Sequence, residues 1–427
     1  MHTGRWIDTL LLPLGVLVAC GCCGSAFSQA ELRTDAAAQY ASLKTAVREA
    51  RNRHQGAAYL DSARALHRFL NGSPNATVEL LAAELAAGHS AQALESLKDL
   101  ARMGQSYDEL LQSEPFGALR NLPEYPAVAN AVSANAQPRS TAERLFELPP
   151  ELVPEDIDYD KDGARFFITS VLKHEVLVVT LAGASRIFAQ SPEGWPMMAL
   201  KIDPRRKHLW VTEVDVGGSR SAVLIYDLGS GRLRHRIAGP PQTDLGDMCL
   251  TPEGDAIVSD GGQGGVYRVH ADTLRMERID AGDFVSPQTP AMAGNGRQVW
   301  IPDYARGIGL LDLKSKKVSW LTTKDTYALS GVDGLYLSGH HFIVTQNGTS
   351  PERVVRFTLN DAMTEITAEF LIERATPTLG DPTHGVVAGD YFYYLANSGW
   401  DALDQRAHRK PNQAMTAPLL MRASLAP

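Results

Sequence analysis

Glu155, Asp156, Asp247, Asp333 and His384 stand at or beside the start of short apolar runs: EDIDYD from 155, DMCL from 247, DGLYLSG from 333 and THGVV from 383. Four carboxylates and an imidazole brought into one funnel cannot all keep their charge unaided. Either a cation neutralises them or one of them holds a proton. A hard divalent ion such as Ca²⁺ or Mg²⁺ suits carboxylate oxygens and would polarise an ester carbonyl. His384, titrating near neutral pH, is the side chain suited to act as a general base beside it. The competing account is structural: acidic residues at strand starts cap turns, and a histidine there bonds a neighbouring backbone carbonyl. Asp160, Asp162, Asp203 and Asp390 read as turn residues on the same grounds.

Whether these residues meet depends on the elements that carry them. Six segments share one register of polar start, apolar strand, Asp/Gly turn and second apolar strand. They begin at residues 155, 198, 246, 289, 333 and 383. Spacings of 43 to 50 residues suit four short strands and their turns, which is one blade of a β-propeller. Between them lie outer hairpins such as 221–237, 264–279 and 308–321. Each blade has an apolar face that only a neighbouring blade can cover, so the ring must close. AERLFELP (142–149) and PLLMRASL (418–425) are the strands expected to share the last blade. The predicted fold is therefore mainly β: a six-bladed β-propeller over 142–427 behind a small all-α domain of helical hairpins over 31–137.

That helical segment is rich in Ala, Leu, Glu and Gln, with apolar residues three and four apart at Tyr59, Ala63, Leu66 and Leu70. Asn71-Gly72-Ser73-Pro74 and Ala87-Gly88-His89-Ser90 break it into hairpins, and Phe116 is placed to pack the last one. The stretch from Val78 to Ser106 resembles a tetratricopeptide unit, although a generic hairpin bundle accounts for it equally. In either form it offers a surface for a protein partner and no catalytic constellation. Residues 134–141 read as the linker.

Residues 1–30 form a secretory signal, with Arg5 ahead of an apolar run and small residues behind it. Cleavage after Ala30 and a lipobox reading, Leu17-Val18-Ala19-Cys20 with Cys20 acylated, both fit. The expected location is thus exported: periplasmic, secreted or lipid-anchored. No later stretch is long and apolar enough to span a bilayer. Three of the four cysteines lie in this region, which leaves Cys249 as a buried, inert thiol in an inner strand. A net charge of −8 argues against nucleic acid as a partner.

The repeats, above all PEDIDYD at 154–160 and VDGLYLSG at 332–339, resemble the gluconolactonase/senescence-marker (regucalcin-like) propellers over 142–427. The resemblance implies a divalent metal, usually calcium, at the top of the central channel, held by a Glu, two Asn and an Asp from different inner strands. Glu155 matches the Glu. Asp333 stands where the family has Asn and keeps an oxygen donor. Gly246 replaces the other Asn, with Asp247 following it. Thr383 replaces the catalytic Asp, with His384 next to it. The expected site has Glu155, Asp333 and Asp247 as metal ligands, His384 as base, and Asp156 and Thr383 against a small-molecule ligand at the channel mouth. The function expected is a divalent-metal-dependent lactone or ester hydrolase with a degenerate site. The alternative is a non-catalytic propeller that binds a ligand or a protein.

Overall fold

The computed structural model describes residues 35–107, 111–218 and 220–426. The signal segment with Cys20, Cys22 and Cys23 lies outside the described residues.

Among the described residues five α-helices precede the strands: α1 (Ala36–Asn52), α2 (Gly56–Phe69), α3 (Pro74–Ala86), α4 (Ser90–Arg102) and, after a 3₁₀ turn at Glu114–Asn121, α5 (Tyr125–Ala134). Asp35 caps α1 by accepting the Ala37 N–H at 2.9 Å, and Pro74 opens α3 where its missing N–H costs nothing. Gly72 and Gly88, both at positive φ, turn the chain between successive helices. Leu81, Ala93, Leu97, Phe116 and Val132 form one core. Phe116 packs there as its position in the sequence anticipates.

Six sheets follow, antiparallel except where Thr322–Thr323 runs parallel to Glu365–Arg374 in the fifth. The first blade runs Pro154–Asp160, Arg165–Ser170, Glu175–Thr180 and Ser185–Gln190. The second spans 197–238, the third 245–278 and the fourth 291–320. The fifth spans 334–374 and the sixth 385–424. The sixth blade is closed by both chain ends: Leu419–Ser424 pairs with Tyr391–Ala396 on one side and with Glu143–Glu147 on the other. Both chain ends are thereby held in one sheet, and Phe166 of the first blade meets Tyr393 of the sixth with ring centroids 5.1 Å apart. Between the fourth and fifth blades the same job falls to Trp300 and Phe342, edge to face at 5.1 Å.

The expected linker is partly structured. Arg139–Ser140 adds to the outer strand Glu365–Arg374 of the fifth blade, because that strand runs long enough to leave backbone groups unpaired beside α5. The helices sit on the face of the ring where the inner strands begin. The Arg306 guanidinium lies 4.5 Å from the Phe69 ring and 4.4 Å from the Trp320 ring. Ser350 N donates to Gln105 Oε1 at 3.0 Å, and Arg374 Nη1 to Asn135 Oδ1 at 3.2 Å. Helices therefore cover the third to fifth blades, and the segment 397–418 of the sixth blade covers the rest of that face. Among the described residues no helix is long and apolar enough to cross a membrane.

Candidate metal centre

Inner strands aim their first residues into the channel through a repeated irregularity. In the first, second and third blades the pairing slips at the start of the inner strand, between Pro154 and Ile157, Met197 and Leu200, and Leu245 and Asp247. A bulge at that point turns a side chain that simple alternation would send into the blade. Glu155 and Asp247 sit on two of these bulges. Asp333 immediately precedes the inner strand Gly334–Ser338 of the fifth blade, and Thr383 and His384 precede Gly385–Ala388 of the sixth.

Glu155, Asp333 and His384 converge, with one donor atom from each within 4.8 Å of the others and all three residues buried. Two oxygens bound to one ion at about 2.3–2.6 Å each can stand up to roughly 5 Å apart, so the carboxylates are within reach of a shared ion. His384 Nδ1 lies 2.8 Å from the Glu155 backbone carbonyl. A carbonyl only accepts, so Nδ1 carries the proton and Nε2 is left facing the acids. Nε2 lies 2.8 Å from Asp247 Oδ1 and 3.9 Å from Asp333 Oδ1, so that a proton on it would face both acids. His384 thus bonds a neighbouring carbonyl, and acids from other blades stand around its ring.

Electrostatics follow from burial. Burial alone would lower the His384 pKa, but Asp247 and Asp333 outweigh it and push it well above the usual imidazole range. Burial pushes the Asp333 carboxyl up to about 6, against the pull of His384. It also drives Glu155 well above the carboxylate range. Lys201 and His384 are the positive charges set against Glu155, Asp156, Asp158, Asp247 and Asp333, so the acids outnumber them. A cluster in that state holds protons or a cation.

The remaining expected residues are placed in the wall. Asp156 Oδ1 accepts Ile157 N at 2.8 Å, and Oδ2 accepts Leu200 N at 2.8 Å and Lys201 Nζ at 2.5 Å. Those bonds tie the first blade to the second. Thr383 is buried, and its Oγ1 donates to the Pro154 carbonyl at 3.4 Å. Asp247 Oδ1 accepts from Thr289 Oγ1 at 2.9 Å, which links the third blade to the fourth. Asp160 and Asp203 are turn residues as expected, accepting the backbone N–H groups of Gly163 and of Arg205 and Arg206. Cys249 is buried and its thiol is pushed up to about 12 by that burial, which keeps it inert.

Three contributors escape a reading of the repeats. Asn347 Nδ2 donates to Asp333 Oδ2 at 2.9 Å while its Oδ1 accepts from Tyr304 OH at 3.0 Å. Trp400 Nε1 donates to Glu155 Oε2 at 2.5 Å. None lies at a repeat start. Trp400 lies between the second and third strands of the sixth blade, in an interval far longer than a turn requires, and that length is the signal in the sequence. A cavity of about 560 Å³ opens elsewhere, between α1, Phe69 and the loop at Ala281–Gly282–Asp283. It contains none of the channel acids.

As a donor set, two carboxylates and an imidazole are competent for a divalent metal. Imidazole belongs with Zn²⁺ and related transition ions more than with Ca²⁺, which collects six to eight oxygens.

No family model matches the chain, and no curated protein matches it. Several solved structures are similar to it. A gluconolactonase from Xanthomonas campestris is 13% identical with a TM-score of 0.46, covering 69% of this chain and 93% of its own. Regucalcin, a calcium-binding protein from Agrobacterium tumefaciens, is 16% identical with a TM-score of 0.45, covering 67% and 97%. Virginiamycin B lyase from Staphylococcus aureus is 16% identical with a TM-score of 0.46, covering 61% and 83%. At these identities and scores the matches carry no argument about chemistry.

Proposed function

We propose that this chain is an exported propeller that binds a divalent cation at the channel mouth and hydrolyses a small lactone or ester there. The observation that supports the reading is the convergence of Glu155, Asp333 and His384 donors within 4.8 Å, from three different blades, in a cluster with surplus negative charge. Glu155 and Asp333 would hold the ion by oxygen and His384 by Nε2. The Nδ1 bond to the Glu155 carbonyl orients the ring as partners of ligating histidines do. The imidazole favours Mn²⁺ or Zn²⁺ over Ca²⁺. When bound, the ion supplies Lewis-acid polarisation of the carbonyl under attack. With Nε2 committed, His384 is not the group that takes the proton from water. Asp247, 2.8 Å from that nitrogen, is the carboxylate placed to accept it.

The test is to strip the protein with EDTA and add back Mn²⁺, Zn²⁺, Ca²⁺ or Mg²⁺ while following melting temperature and turnover of a reactive aryl ester and a small lactone. A bound ion stabilises the fold it selects, so melting temperature and turnover rise together, and Glu155→Gln removes both effects. Failure of all four ions to shift melting at millimolar concentration refutes the reading. A second reading, binding without hydrolysis, is favoured by Thr383, whose hydroxyl is engaged with Pro154 where the family resemblance calls for a catalytic carboxylate. It predicts the shift in melting without turnover.

A further inference from the structure

The segment 397–418 is long for a connection between two paired strands. It contains a single short 3₁₀ turn, Trp400–Ala402, and connections of this length without regular structure are uncommon unless they serve a site. Its path is well anchored. Asn397 Nδ2 donates to Thr416 Oγ1 at 2.7 Å, closing the base of the loop, and Arg409 Nη1 reaches Glu151 Oε1 at 2.5 Å. Its apolar side chains, Leu403, Ala407, Trp400 and Met415, pack on Val153, Val171 and Leu172 of the first blade and Met198 and Val216 of the second. The loop leaves the sixth blade and runs along the channel mouth onto the neighbouring first and second blades.

A polar contact joins this roof to Glu155 below it, the Trp400 indole N–H on Glu155 Oε2 at 2.5 Å. With Oε2 taken, Oε1 is the oxygen left for a cation. We propose that Trp400 is a positioning residue for the cation centre: its indole N–H sets the Glu155 carboxylate, and the same bond couples closure of the 397–418 roof to occupancy of the site. The inference rests on the cation reading above. A glutamate free to rotate must be ordered when an ion binds, and a hydrogen bond to a charged oxygen is among the stronger ones. The indole bond holds one carboxylate oxygen and leaves the other toward the ion, so ordering the roof and binding the ion favour each other.

Trp400→Phe keeps a ring in the apolar cluster and deletes the N–H. Its melting temperature without ions stays near that of the unaltered protein, while cation affinity by titration calorimetry falls roughly tenfold or more. Trypsin gives an independent readout, because Arg406 and Arg409 are exposed on the roof. Saturating Mn²⁺ or Zn²⁺ slows cleavage there in the unaltered protein and has little effect in Trp400→Phe. Trp400→His, which restores a ring N–H, recovers part of the affinity. If the unaltered protein binds no cation, the cation reading fails and this inference falls with it. If it binds and Trp400→Phe binds equally well, with the same protection from trypsin, this inference alone is overturned. A purely structural role for Trp400 would lower melting without changing affinity, which is also a refutation.

Discussion

Replacing Asp333 with Asn separates the cost of the acidic cluster from its use. Asp333 has its carboxyl raised from 3.8 to about 6 in the folded chain, burial being the main cause. The folded state therefore holds this proton more tightly than the unfolded state. Below about pH 3.8 both states are protonated and the residue contributes nothing to the pH dependence. Between 3.8 and 6 the unfolded chain ionises first, so stability falls as pH rises. Above 6 the penalty is constant, and at 1.36 kcal/mol per pH unit it reaches a ceiling of ~3 kcal/mol. Asn carries no charge at any of these pH values and can still accept the Asn347 N–H. In EDTA at pH 7.5, Asp333→Asn should melt a few degrees higher than the unaltered protein, at roughly 2 °C per kcal/mol for a domain of this size. His384 loses part of its own stabilising partner in the variant, so the gain falls below the ceiling. Near pH 4 the two proteins should melt together. Adding Mn²⁺ or Zn²⁺ at pH 7.5 should reverse the order, because the ion offsets the Asp333 charge in the unaltered protein and finds only a neutral, weaker oxygen donor in the variant. Scanning calorimetry at the two pH values, with and without ion, reads all four states. A variant less stable than its parent in EDTA at pH 7.5, or one that gains as much from the ion, would refute the reasoning.

Three further outcomes are expected. Lys201→Met leaves Asp156 as an uncompensated buried charge and should cost about 3–5 kcal/mol in urea denaturation; Asp156→Asn in the same chain should recover much of it, and no recovery would show that the pair is not the cause. A chain of residues 138–427 should fold alone, whereas one of 138–412 loses Leu419–Ser424, which pairs on both sides and buries Leu420 and Met421. Equal melting of those two chains would count against ring closure. For export, Cys20→Ser should abolish lipid attachment if the lipobox is used; mass spectrometry showing an unlipidated product beginning at Glu31 in both forms would settle it the other way.

The blades were legible in the sequence because each is a local object. Alternating apolar residues, a turn and a repeat of 43 to 50 residues specify strands that pair with their immediate neighbours, and the two end strands followed from the need to close the ring. Glu155, Asp333 and His384 were legible for the same reason, since the repeat register placed them at equivalent positions. What each of them does was not. His384 looks like a base at an ordinary pKa until Asp247, 2.8 Å away from another blade, raises that pKa. Asp156 looks like its neighbour Glu155, but the bulge sends it to Lys201 and the Leu200 N–H of the second blade. Trp400 carries no repeat signal at all and lies 245 residues from the carboxylate it holds. Strand pairing in a propeller depends on residues near in sequence, so periodicity determined the architecture. Charge state and roofing depend on distances across the channel between residues hundreds of positions apart, and only the closed ring brings those distances into being.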